Sequence, residues 1–104
     1  MVNSLTYQID RRVTALQAQG IANEFLSNSL PDRFTADQPK SADNQWRVPV
    51  ILAYPHIGSL GTVGEIQIDM AIGTILNHTP LDQMKQTGIE LYTTNQDAIK
   101  AAFL

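Results

Sequence analysis

The sequence predicts an α+β fold, with an N-terminal helix packed on a small antiparallel β-meander and one or two C-terminal helices after it. Three observations carry this. Apolar residues recur at helical spacing behind a capping-box pattern near residue 14, the period changes to two from residue 46, and an Asp-turn-Gly sequence at 69–73 joins two short apolar runs. At 104 residues the chain is one domain, 1–104, near the usual 100–150-residue domain size. A core of that size is modest, so a homodimer interface is expected to supplement it.

The leading helix is read over about 15–29. Thr14 and Gln17 stand three apart, so each side chain can satisfy the other residue's free N–H. Ala18, Ala22, Phe25, Leu26 and Leu30 then recur on one face, with Ile21 beside them, and Pro31 closes the pattern. Gln17, Gln19, Asn23, Glu24 and Asn28 are placed mostly outward. Before this helix, Leu5, Tyr7 and Ile9 alternate with polar residues as a short strand would.

Residues 31–45 have a loop composition, rich in Pro, Asp, Ser and Asn, that could hide a short strand around Phe34. From 46 onward Trp46, Val48, Val50, Leu52 and Tyr54 share one side of a strand. Pro49 cannot donate to a ladder, which predicts an edge strand or a bulge there. A turn-rich connection, 55–61, leads to a second strand at about 62–69. There Ile66 and Ile68 face one way, and Glu65, Gln67 and Asp69 the other. Asp69 can accept from N–H groups two residues on, and Gly73 can take the positive φ of a short loop, so these two are the expected structural turn. Thr74–Asn77 returns as the third strand.

Thr79-Pro80-Leu81-Asp82 reads as a helix start, with Thr79 as cap, Pro80 at the first helical position and Asp82 near the positive end of the dipole. Leu81, Met84, Ile89 and Tyr92 form its expected apolar face, interrupted at Gly88. Asn95 or Thr94 caps a last helix carrying Ala98, Ile99, Ala102 and Phe103.

Seven Lys and Arg stand against ten Asp and Glu, for a net charge of −3, and the charges are spread evenly. Nucleic-acid binding needs a basic stripe, and only Arg11-Arg12 are paired, as a solvated approach to the helix. There is no cysteine, which excludes disulfides and thiolate zinc sites. The first residues lack a basic and apolar leader, and no apolar run reaches the roughly 20 residues of a membrane span. The expected setting is therefore cytoplasmic, with neither membrane nor nucleic acid as a partner.

Trp46-Arg47-Val48-Pro49-Val50, the Gly-rich connection and Gly64-Glu65-Ile66-Gln67-Ile68-Asp69-Met70-Ala71-Ile72-Gly73-Thr74-Ile75-Leu76 together resemble the core of a PepSY-type domain. In that family a tryptophan-led strand is followed by a strand ending in Asp, a few variable residues, Gly and a short apolar strand. The Ala18-x-x-x-Ala22-x-x-Phe25-Leu26 helix is similar to the family's leading helix. The likeness spans about 14–77 and leaves 79–104 as a helical extension. It implies a non-catalytic binding or regulatory module, here a stand-alone intracellular relative with a protein partner. Separately, the chain's small size and acidity fit a partner that neutralises a neighbouring hydrolase or toxin.

The residues offer one alternative from another class. His56 and His78, with Glu65 and Asp69, could make a two-His site for a metal ion or an acid/base pair. They lie in separate loops without i,i+4 or H-x-H spacing, so exposed loop histidines are the preferred reading. Gly58-x-x-Gly61-x-x-Gly64 meets no phosphate-loop spacing and precedes a strand, so no helix dipole faces a phosphate. No catalytic, metal or cofactor residue is assigned. Trp46 and Tyr54, on one strand face, are the candidates for a pocket or partner surface, with packing against the first helix the simpler role for both.

Overall fold

Helix α1 (Ala15–Ser29) begins at the capping box. Gln17 N–H donates to the Thr14 hydroxyl at 3.1 Å, and Thr14 N–H to the Gln17 side-chain oxygen at 2.9 Å. The computed structural model describes residues 12–103, and the 5–9 strand expectation lies outside them. Leu30 leaves the helix in extended conformation, as a residue before proline must.

Five strands follow: β1 (Phe34–Ala36), β2 (Lys40–Ala42), β3 (Gln45–Tyr54), β4 (Gly58–Asp69) and β5 (Ile75–His78). Helices α2 (Leu81–Thr94) and α3 (Gln96–Ala102) end the fold, which is α+β. The sheet is antiparallel in the order β1-β3-β4-β5, with β2 also on β3. The predicted meander is thus β3–β5, and the 31–45 loop contributes two further strands.

Those two strands correct the reading of Pro49. β3 is not an edge; it pairs with β4 on one side and with β1 and β2 on the other. Ala36 pairs with Val50 and Lys40 with Arg47, so the missing Pro49 N–H falls where the outer partner breaks between β1 and β2. Its carbonyl is still used, accepting from Asp37 N–H at 2.8 Å.

The bulges lie instead in β4, whose twelve residues oppose the ten of β3 through register shifts at Val50/Ile51 and Leu52/Ala53. Consequently Gly64, Gly61 and Gly58, three apart, stand opposite Val50, Leu52 and Tyr54, two apart. Gly64 and Gly61 leave a lane for Thr79 and α2. A Cβ at Gly64 would lie 2.8 Å from Thr79 Cβ and 3.1 Å from Met84 Cε, and one at Gly61 would lie 3.1 Å from Leu91 Cδ2.

Both α1 and α2 pack on this face. Ala18, Ala22 and Leu26 of α1, Val48 and Val50 of β3, Ile66 and Ile68 of β4, and Met84 of α2 belong to one buried cluster. At about 25 cal/mol per Å² of apolar surface, such residues contribute roughly 1.5–3 kcal/mol each relative to exposure. The α1 residues predicted to face outward are not all solvated. Asn23 Oδ1 accepts from Ala36 N–H at 2.8 Å, and Gln19 donates to the Ala36 carbonyl at 3.1 Å. Two helix amides thereby close the outer edge of β1 against further pairing.

The helix starts also differ from expectation. Pro80 is the cap position of α2 and makes no side-chain cap bond. Thr79 is drawn into the sheet, its hydroxyl accepting from Glu65 N–H at 3.0 Å and its own N–H donating to the Glu65 carbonyl at 2.9 Å. Asn95 is the cap position of α3 but makes no side-chain cap bond; its amide donates instead to the Leu91 carbonyl at 2.7 Å and finishes α2. The inward face of α2 is Leu81, Met84, Gly88 and Leu91, while Ile89 and Tyr92 are exposed. Gly88 does not interrupt that face. It admits the Phe34 ring, which a Cβ would meet at 2.8 Å. Among the described residues no helix is long and apolar enough to cross a membrane.

Candidate functional site

Strand β3 carries the two aromatic candidates to opposite ends of the sheet. Over ten residues at about 3.3 Å each the strand spans roughly 30 Å, so Trp46 and Tyr54 do not share a site. Trp46 is half-buried, and its indole N–H donates to the Val13 carbonyl at 2.8 Å. Val13 N–H in turn donates to the Met70 carbonyl at 2.8 Å. The indole thus ties the approach to α1 onto the hairpin beside it, with its only polar group consumed internally.

The Asp69 turn belongs to this end. Asp69 Oδ1 accepts from Ala71 N–H at 2.7 Å and from Ile72 N–H at 3.3 Å. Gly73 has φ 80°, and its N–H donates to the Asp69 carbonyl at 2.8 Å. A Cβ there would also meet Val13 and Ile21 at 3.1 and 3.2 Å. Asp69 and Gly73 serve geometry here, because the carboxylate is occupied by the backbone it organises.

The four residues of the metal or acid/base reading are not brought together. His56 lies in the β3–β4 turn, its ring edge-on to Phe103 at 6.5 Å, while Asp69 closes the far end of β4. His78 ends β5, its ring 4.8 Å from Phe25 and its Nδ1 2.7 Å from the Thr79 carbonyl. It shares a shallow polar hollow with Glu65. The Glu65 carboxylate is engaged by Arg47 at 3.1 Å and Gln67 at 3.0 Å. No three His, Asp or Glu among the described residues converge as a metal ion would require.

The feature that stands out lies at the Tyr54 end. Pro31 and Asp32 turn the chain, and Arg33 sends Phe34 into β1 with φ 92°, its carbonyl fixed by Ala53 N–H at 2.8 Å. Positive φ is unusual for a residue with a Cβ and costs about 1–3 kcal/mol. Beyond this corner an open groove of about 330 Å³ runs between the β1–β3 pair and α2. Its apolar lining comes from Phe34, Leu52, Tyr54, Ile89 and Tyr92. The Tyr54 and Tyr92 rings are 6.4 Å apart, and the Arg33 guanidinium lies 5.2 Å from the centre of the Tyr54 ring, within cation–π range.

Arg33, Lys85 and Asp32 supply the charge at the rim, a net +1 on a chain of net −3. Among the described residues neither Arg33 nor Lys85 lies within ion-pairing distance of a carboxylate; the Arg47–Glu65 pair is elsewhere. The sequence reading found Tyr54 but missed the rest of the groove. A usable signal was present: Lys85, Ile89 and Tyr92 form a second helical stripe beside Leu81, Met84 and Leu91, making an arc wider than one core contact needs.

No family model matches the chain, and no curated protein and no solved structure matches it either.

Proposed function

We propose that the protein is a non-catalytic binding module that engages a protein partner through the groove between β1, β3 and α2. The observation that carries this reading is the exposed apolar lining, in which Ile89 is 59% and Tyr92 38% exposed beside Tyr54. Concave apolar surface with a few convergent polar groups is the usual form of a binding site, and aromatic anchors dominate protein interfaces. The PepSY-type resemblance supports a binding role from an independent direction.

Retention of a partner from native extract by the immobilised protein tests the reading. Ile89→Asp, an exposed change inside the groove, is expected to abolish retention. Leu16→Asp, at a residue 78% exposed on α1 near the opposite end, is expected to leave it intact. Equal retention by both variants would exclude the groove as the recognition surface.

A further inference from the structure

We infer that the groove takes a peptide segment presenting one bulky apolar side chain flanked by carboxylates. This rests on the groove being the recognition surface and adds the chemistry of what it recognises.

The apolar part of the ligand follows from the floor and wall. Phe34 and Leu52 form the floor, Tyr54, Ile89 and Tyr92 the sides, and the volume of about 330 Å³ lies at the low end of ligand sites. The groove is open to solvent. A small molecule lying there would keep part of its surface in water, whereas a peptide lowers only an anchor side chain into it and keeps its flanking residues at the rim.

The charge of the ligand follows from the rim. Arg33 and Lys85 are two of only seven cations in an acidic chain, and neither has a carboxylate partner among the described residues. Asp32 shares the rim, which places an incoming carboxylate on the Arg33 and Lys85 side of it. Guanidinium groups recognise carboxylates through paired donors, and here the guanidinium is already oriented over the Tyr54 ring.

The backbone of Arg33 points the same way. Its φ of 92° is a conformation that glycine adopts without strain. An arginine at such a corner carries local backbone strain, as Asp43, Asn44 and His56 do in other turns, and here that strain places the guanidinium at the groove rim. Neither Tyr54 nor Tyr92 spends its hydroxyl on a hydrogen bond among the described residues, so both remain able to donate to a ligand.

The test is an amide-resolved NMR titration of the full chain with capped peptides. The probes are Gly-Asp-Phe-Glu-Gly, its neutral analogue Gly-Asn-Phe-Gln-Gly, and Gly-Asp-Ala-Glu-Gly without the anchor; decanoate tests a lipid-like acid. The acidic Phe peptide is expected to shift the amides of Arg33, Phe34, Gly88 and Ile89. It should bind about tenfold tighter than the neutral peptide, an advantage that fades as salt screens the charges. The double variant Arg33→Gln, Lys85→Gln should lose that advantage while binding the neutral peptide as before. Arg33→Gly should also weaken the acidic peptide while its thermal midpoint holds or rises, which separates binding from folding.

Equal affinity for the acidic and neutral peptides would overturn the charge assignment and leave the groove reading standing. Decanoate binding more tightly than the acidic peptide would replace the peptide with a lipid-like acid. If no peptide moves the groove amides, the inference fails. Should Ile89→Asp then still retain the extract partner, the groove reading fails with it.

Discussion

The two ends of β3 present an aromatic residue each and use it in opposite ways. At the Trp46 end the polar group of the ring is bound to the Val13 carbonyl, and Val13 is bound to Met70 across the hairpin. At the Tyr54 end the half-buried ring meets the exposed Tyr92 and an arginine with no carboxylate partner among the described residues, beside an open groove. One end spends its hydrogen bonds on closing the fold; the other leaves donors and apolar surface facing out. Position on a strand face therefore says that a side chain points toward the helices. It does not say whether a helix covers that side chain.

The contrast can be broken by substitution. Trp46→Ala should be the most costly change, destabilising by about 3 kcal/mol; full burial would place it at roughly 3–5 kcal/mol, and this ring is only half-buried. A denaturant midpoint equal to that of wild type would remove the claim that this end is structural. Gly73→Val should cost about 2 kcal/mol, because a β-branched residue is strained at φ 80° and its Cβ crowds Val13 and Ile21. Crystallography of that variant should show the 69–74 turn displaced.

Tyr54→Ala is expected to cost about 1 kcal/mol, less than Trp46→Ala, since its ring lies against the open groove. A larger loss than for Trp46→Ala would reverse the assignment of the two ends. The smallest effect is expected on the sheet face away from the helices. Glu65→Gln removes the ion pair with Arg47, whose side chains are 50% and 35% exposed. After solvent screening that pair contributes about 0–1 kcal/mol, so the thermal midpoint should move by only a few degrees.

Helix α1 was legible in the sequence to its boundaries because capping box, apolar spacing and terminating proline are all local signals. The strand period at 46–54 and the Asp69–Gly73 turn are local in the same sense. What was misread depended on distant neighbours. The expectation of an edge strand or a bulge at Pro49 fails because the sequence cannot show that β1 and β2 meet β3 on either side of it. Thr79 reads as a helix cap because its actual partner, the Glu65 backbone, lies fourteen residues earlier.

The glycines and the groove show where that boundary falls. Gly58, Gly61 and Gly64 carry no local pattern that explains a spacing of three. Only the two β4 bulges convert it to the spacing of two on β3, and only Thr79 and α2, lying over Gly64 and Gly61, crowd a Cβ at those two positions. The same holds for Phe34, Gly88, Ile89 and Tyr92, which lie on separate elements and meet through the packing of α2. By itself the sequence determined α1, the β3–β5 meander and the inward faces of α1 and β3, because periodicity, capping and turn chemistry act within a few residues. Tertiary structure alone decided which inward faces were covered and which stayed open, because coverage depends on where a distant helix comes to rest.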